Sequence, residues 1–170
     1  SQSIVTYKSP SASVLADISA DAKVDLLVSN FDAGTVSVLL GNGDGTFNDR
    51  QNFAAGVGPS GLVVLDLNGD GKLDVATSNF DGNNLSVMYG TGTGTLQAPK
   101  NYSPDKGPSA IAAADVNGDT KPDLIVTNAE SGTVTVHLAT MTGFATAKSY
   151  TVGKYPAALV LGDVNADGKV

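Results

Sequence analysis

The feature that most constrains this chain is a repeat of 49 residues. Pro10, Pro59, Pro108 and Pro156 are spaced by 49, 49 and 48 residues, and Asp17, Asp66, Asp115 and Asp163 keep the same spacings. Asn30, Asn79 and Asn128 are also 49 apart. Three markers in one register imply a supersecondary unit that recurs and buries its faces against its own copies. The units run approximately over 9–57, 58–106, 107–154 and a truncated 155–170.

The second unit shows what one copy contains. Gly61 to Leu65 is a short apolar run with β-branched residues, followed by a polar loop from Asp66 to Lys72. Leu73 to Thr77 reads as a second strand, Asn79 to Asn83 as a turn and Leu85 to Tyr89 as a third strand. Gly90-Thr-Gly-Thr-Gly94 is a further turn, and Leu96 to Tyr102 a fourth strand. No window sustains a helical period, and glycine interrupts any that begins. The expected fold is therefore all-β: a β-propeller of four-stranded antiparallel blades, with about three and a half blades in this sequence. Propellers close with roughly four to eight blades. The expectation is thus a partial propeller belonging to a larger ring, with Ile4 to Lys8 and Ala157 to Leu161 as single strands. Their unpaired edges are expected to fray or to pair with another copy, giving self-association.

The loop between the first two strands of each unit carries the chemistry. The second reads Asp66-Leu-Asn68-Gly-Asp70-Gly71-Lys72-Leu-Asp74. In the third, the corresponding residues are Asp115, Asn117, Asp119, Lys121 and Asp123; in the first, Asp17, Ser19, Asp21, Lys23 and Asp25. The fourth has Asp163, Asn165, Asp167 and Lys169 and stops before its last acid. Oxygen side chains at positions 1, 3, 5 and 9 suit a hard cation, and calcium takes six to eight oxygens in tolerant geometry. The lysine at position 7 cannot ligate through its ammonium, so its backbone carbonyl is the expected donor. Magnesium asks for a stricter octahedron, and zinc favours His or Cys, which these loops lack. Eleven carboxylates lie in the loops, and the remaining six are Asp32, Asp44, Asp49, Asp81, Asp105 and Glu130. Three calcium ions would move the formal net charge from −7 to about −1. Asp and Asn favour turns in any protein, but four such loops in register point beyond turn chemistry. An EF-hand needs a bidentate acid at position 12 and flanking helices. Position 12 of the second loop is Thr77, and both flanks read as strands.

Composition narrows the function. The acidic balance and the scattered basic residues argue against nucleic acid, whose phosphates need clustered Lys and Arg. No run approaches the length of a membrane span, and the absence of cysteine removes disulfide and thiolate-metal frameworks. Ser1-Gln2-Ser3-Ile4 has neither the basic nor the apolar region of a signal peptide. His137 is the sole histidine, in an alternating strand, and reads as a strand residue at the surface or within a blade. Gly41 to Gly45 and Gly90 to Gly94 look like phosphate loops but join two strands, so they read as hairpin turns. No catalytic residue is signalled, and the chain is expected not to be an enzyme. Phe31-Asp32-Ala33-Gly34, Phe80-Asp81-Gly82-Asn83 and Ala129-Glu130-Ser131-Gly132 should lie on the face away from the acidic loops. They are equally readable as binding loops and as solvated turns with a buried Phe.

Phe53-Ala-Ala-Gly56-Val-Gly58-Pro59, followed by the loop from Asp66 to Asp74, resembles an FG-GAP repeat of the integrin α-subunit propeller. It is closer still to bacterial FG-GAP/VCBS-type repeat proteins. Tyr102 and Tyr150 hold the place of Phe53, while the first unit has Ile4 there. The resemblance implies a ring of about seven blades, calcium in the acidic loops, and a protein or glycan partner on the opposite face. It also implies a secreted or cell-surface location. Three roles follow as expectations: a calcium-binding adhesion or protein-interaction module, a lectin-like or otherwise non-catalytic accessory propeller of a secreted enzyme, and a structural spacer. The absence of Trp weakens the lectin reading. Nothing in the residues names the ligand.

Overall fold

The structure is a computed structural model and describes residues 8–168 and 170. The expected strand from Ile4 therefore lies outside the described residues except for Lys8, and so does Lys169. Among the described residues there is no helix, and thus none long and apolar enough to cross a membrane.

Three four-stranded antiparallel sheets follow one another along the chain. The first contains β1 (Pro10–Ala16), β2 (Asp25–Asn30), β3 (Thr35–Leu39) and β4 (Gln51–Ala54). The second contains β5 (Pro59–Leu65), β6 (Asp74–Asn79), β7 (Asn84–Met88) and β8 (Lys100–Tyr102). The third contains β9 (Pro108–Ala114), β10 (Asp123–Asn128) and β11 (Thr133–His137), then a two-residue pair, β12 (Ala139–Thr140) with β13 (Gly143–Phe144), and finally β14 (Lys148–Thr151) as its outer strand. Strand order within each sheet is sequence order, as a propeller blade requires. The first strands β1, β5 and β9 are neighbours in space, so the blades pack side by side with these strands innermost.

The recurring Pro-Ser pair has a physical reason in this arrangement. The residue before each proline has positive φ: Ser9 (51°), Gly58 (67°), Gly107 (67°) and Tyr155 (55°). That twist turns the chain into the innermost strand. The serine then donates to the proline carbonyl of the next blade, Ser11 Oγ to Pro59 O at 2.5 Å, Ser60 Oγ to Pro108 O at 3.0 Å and Ser109 Oγ to Pro156 O at 2.7 Å. The third bond places Pro156 where the next inner strand begins. The expected strand from Ala157 to Leu161 is not formed as a paired strand: it has no second strand beside it, and its Val160 is 94% exposed.

Apolar side chains fill the two seams between blades. Ile18, Leu27, Val36, Leu62, Val75 and Met88 fill the first; Leu67, Ala76, Leu85, Val87, Leu124 and Val126 fill the second. Each blade is also stitched internally by polar bonds. Asn79 Nδ2 donates to Ser86 Oγ (2.9 Å), which donates to Asn101 Oδ1 (2.9 Å), joining β6, β7 and β8. Asn30, Ser37 and Asn52 repeat this in the first blade. Thr77 completes the set by donating to Asn79 Oδ1; the first and third blades have Val28 and Val126 there, and Asn30 Oδ1 and Asn128 Oδ1 lack a partner.

His137 lies within the blade. It occupies the register position of Leu39 and Met88 and is 1% exposed. Neither ring nitrogen makes a hydrogen bond, the Ala145 backbone coming near without completing one, and burial holds the imidazole below its usual pKa. It packs as a core residue.

Candidate functional site

The acidic loops join the first and second strands of each blade, and the Phe31, Phe80 and Ala129 turns join the second and third. In an antiparallel sheet these connections fall at opposite ends, so the two sets occupy opposite faces.

All four loops fold alike. The position 1 carboxylate accepts from the amides of residues 5 and 6: Asp17 from Asp21 (3.1 Å) and Ala22 (2.8 Å), and Asp66 from Asp70 (3.2 Å) and Gly71 (2.8 Å). Asp115 accepts from Asp119 (3.2 Å) and Thr120 (2.7 Å), and Asp163 from Asp167 (3.2 Å) and Gly168 (2.7 Å). Positions 4 and 6 are left-handed throughout. They are Ala20 and Ala22 in the first loop, Gly69 and Gly71 in the second, Gly118 and Thr120 in the third, and Ala166 and Gly168 in the fourth. The amides hold the Asp163 carboxyl below its usual range, Gly168 most of all. At Asp115, desolvation works the other way, but the Thr120 and Gly118 amides outweigh it and the pKa is lowered.

Position 9 behaves differently from positions 1, 3 and 5. Asp25, Asp74 and Asp123 are wholly buried at 0% exposure. Each accepts from the amide of loop position 2 on one oxygen, from Ile18 (3.0 Å), Leu67 (3.0 Å) or Val116 (3.2 Å). The other oxygen accepts from the second residue past the third strand, Gly41 (2.8 Å), Gly90 (2.8 Å) or Ala139 (2.7 Å). Each buried carboxylate thus ties its loop to the far side of the blade. Burial pushes the Asp74 carboxyl up against the pull of the Gly90 and Leu67 amides, and the charges of Asp70 and Asp66 add to the rise.

Asn68 and Asn117 accept the amides of Asp70 (2.9 Å) and Asp119 (2.8 Å), and Asn165 that of Asp167 (3.2 Å). Ser19 has no such acceptor role; its hydroxyl donates weakly to Asp17 at 3.4 Å. Lys23, Lys72 and Lys121, at position 7, are exposed. Lys23 pairs with Asp21 at 3.3 Å, and the stems of Lys23 and Lys72 lie over Gly43 and Gly92. Among the described residues, no three Asp, Glu or His side chains already converge on one point. The donors are nonetheless all oxygen, three to a complete loop on the solvent side with a carboxylate buried beneath them. That chemistry fits a hard, oxygen-seeking cation.

Fold and loops together define a class: a partial β-propeller whose blades each carry an acidic loop between their first two strands. The family model described as FG-GAP-like repeat matches residues 17–77, 66–126 and 115–170, and the chain belongs to that family. No curated protein matches it. Among solved structures it is similar to a chain titled as the Tc holotoxin pore of Photorhabdus luminescens, at 19% identity and a TM-score of 0.48. That likeness covers 86% of this chain and 7% of the other.

Proposed function

We propose that this propeller segment is a calcium-stabilised interaction module of a secreted or cell-surface protein, without catalytic activity of its own. The observation that carries the reading is the identical frame of the four acidic loops, held by the position 1 carboxylate whatever residues stand at positions 4 and 6. Asp66, Asn68 and Asp70, the Lys72 carbonyl and the buried Asp74 would hold the ion in the second loop, with the corresponding residues in the others. Bound calcium would supply positive charge to a loop that carries three carboxylates. The chain's residues place those carboxylates at the ends of packed strands, so filling the loops would stiffen one whole face.

Binding to the folded state alone raises stability by RT ln(1 + [L]/Kd), about 2.7 kcal/mol at a hundredfold excess over Kd. Thermal melts in calcium and in chelator test this, with a higher midpoint in calcium expected. Equal midpoints would sink the reading. The partner is proposed to be a protein or glycan. The strand 2–3 turns on the opposite face, with Phe31 and Phe80 half-buried beside Asp32 and Asp81, are one candidate surface for it.

A further inference from the structure

The 48-residue spacing between Pro108 and Pro156 comes from a shortened turn. In the first two blades, the hairpin between the third and fourth strands has a three-residue tip, closed by Asn42 N to Thr46 O and by Thr91 N to Thr95 O, both 3.0 Å. Gly41 bridges to Phe47 and Gly90 to Leu96, six residues on. In the third blade, Ala139 pairs with Phe144 and Thr140 with Gly143, leaving a two-residue tip of Met141 and Thr142.

That residue matters because the tip normally seals the seam to the preceding blade. Gly94 of the second blade is buried, donates its amide to Ile18 O of the first acidic loop at 3.3 Å, and lies so close to Leu40 that a Cβ would stand 2.6 Å from its Cδ2. The second seam has no counterpart of Gly94, and among the described residues no tip amide reaches the Leu67 carbonyl. Tyr89 stands where the first seam has Leu40. A cleft of about 730 Å³ opens there, between the second acidic loop and the 140–143 turn. It falls in the size range of small-molecule sites.

We infer that this cleft, opened by a one-residue deletion, is a saccharide-binding site on the acidic-loop face. Its walls mix donors and acceptors at short range, as a ring of hydroxyls requires. Lys100 donates its Nζ to Thr142 O at 2.7 Å, and Thr140, Lys121, Asp66 and Asn68 line the same cleft. Tyr89 supplies the one aromatic ring. The lining contains no Arg fork for a phosphate. This site lies on the face opposite the strand 2–3 turns and shares Asp66 and Asn68 with the second acidic loop.

The test is a printed glycan array probed with fluorescently labelled protein, followed by calorimetric titration of the best-bound glycan. Two variants accompany it. One inserts a glycine between Met141 and Thr142, restoring the three-residue tip that fills the first seam. The other is Tyr89→Leu, the counterpart of Leu40. Each is expected to weaken binding by about tenfold or more, a loss of about 1.4 kcal/mol, with the melting midpoint kept. Tyr89→Leu remains informative if the insertion disturbs folding. Failure of the unaltered protein to bind any glycan would overturn the inference, as would full binding by Tyr89→Leu.

Discussion

The first and second acidic loops share the bonds made by positions 1 and 9 but differ at positions 3, 4 and 6. Loop 17–25 places Ala20 and Ala22 at φ of 57° and 65°, where loop 66–74 has Gly69 and Gly71 at 77° and 80°. Position 3 also differs. Asn68 accepts the Asp70 amide, whereas the Ser19 amide itself donates to Asp25 at 3.2 Å. The frame therefore does not depend on glycine. It is held in all four loops by the carboxylate at position 1, and in the three complete loops also by the one at position 9. Positions 4 and 6 set what the left-handed turns cost, and position 3 sets what the loop offers a cation.

The largest effects should come from the residue the two loops share most closely. Asp25→Ala and Asp74→Ala each strip acceptors from buried amides, at about 1–3 kcal/mol for each amide left unpaired. A loss of about 3–5 kcal/mol is expected in both, measured by urea unfolding. A mild effect of Asp25→Ala beside a severe one of Asp74→Ala would break the claim of a common frame. Next comes the cation. Asp70→Ala should reduce the calcium-induced rise in melting midpoint more than Asp21→Ala does. The second loop offers the Asn68 carbonyl as a further donor, while Asp21 is partly engaged by Lys23. Equal reductions would show that the loops bind alike and that position 3 is indifferent.

The sequence announces the blades because a 49-residue period marks strands, turns and loops together. What it conceals are contacts between residues far apart in the chain. Asp74 reads as one more loop acid, since its burial depends on Gly90, 16 residues away. Leu96 to Tyr102 reads as a single strand, but only Lys100–Tyr102 pairs with β7, and Leu96 instead closes the tip against Gly90. The serine after each proline carries no local signal, because its acceptor is in the next blade. The 48-residue interval is visible as a number. Its meaning needs the neighbouring loop that Gly94 touches. His137 reads correctly as a strand residue, and its burial follows from sharing a register with Leu39 and Met88.

Backbone cost is the next, smaller axis of the comparison. An L-residue in the left-handed region carries a penalty of about 1–2 kcal/mol. Ala22→Gly is expected to stabilise the first loop by about 1 kcal/mol, and Gly71→Ala to destabilise the second by a similar amount. Thr120→Gly in the third loop should gain at least as much, because Thr120 is β-branched at a φ of 68°. Midpoints in urea at unchanged slope measure all three. No gain for Ala22→Gly would mean that its alanine is held without strain, removing the main difference between the loops.

The smallest effect is expected on the opposite face, where Asp81 gives the comparison its baseline. Asp81 is an exposed acid in the Phe80 turn, in register with Asp32 and Glu130 at intervals of 49 residues. The Asp32 carboxylate accepts from the Ser9 hydroxyl, but Asp81 faces Gly58, which has no side chain to donate. It holds no amide of its own turn in the way that Asp66 holds Gly71. An exposed acid without such a bond contributes little to stability, within about 0.5 kcal/mol. Asp81→Ala should therefore leave both the unfolding midpoint and the calcium response unchanged, while Asp70→Ala alters the calcium response. The decisive measurement is the difference between the two variants with and without calcium. A calcium response lost equally in Asp81→Ala would place the cation on the wrong face, and the functional assignment of the acidic loops would fall with it.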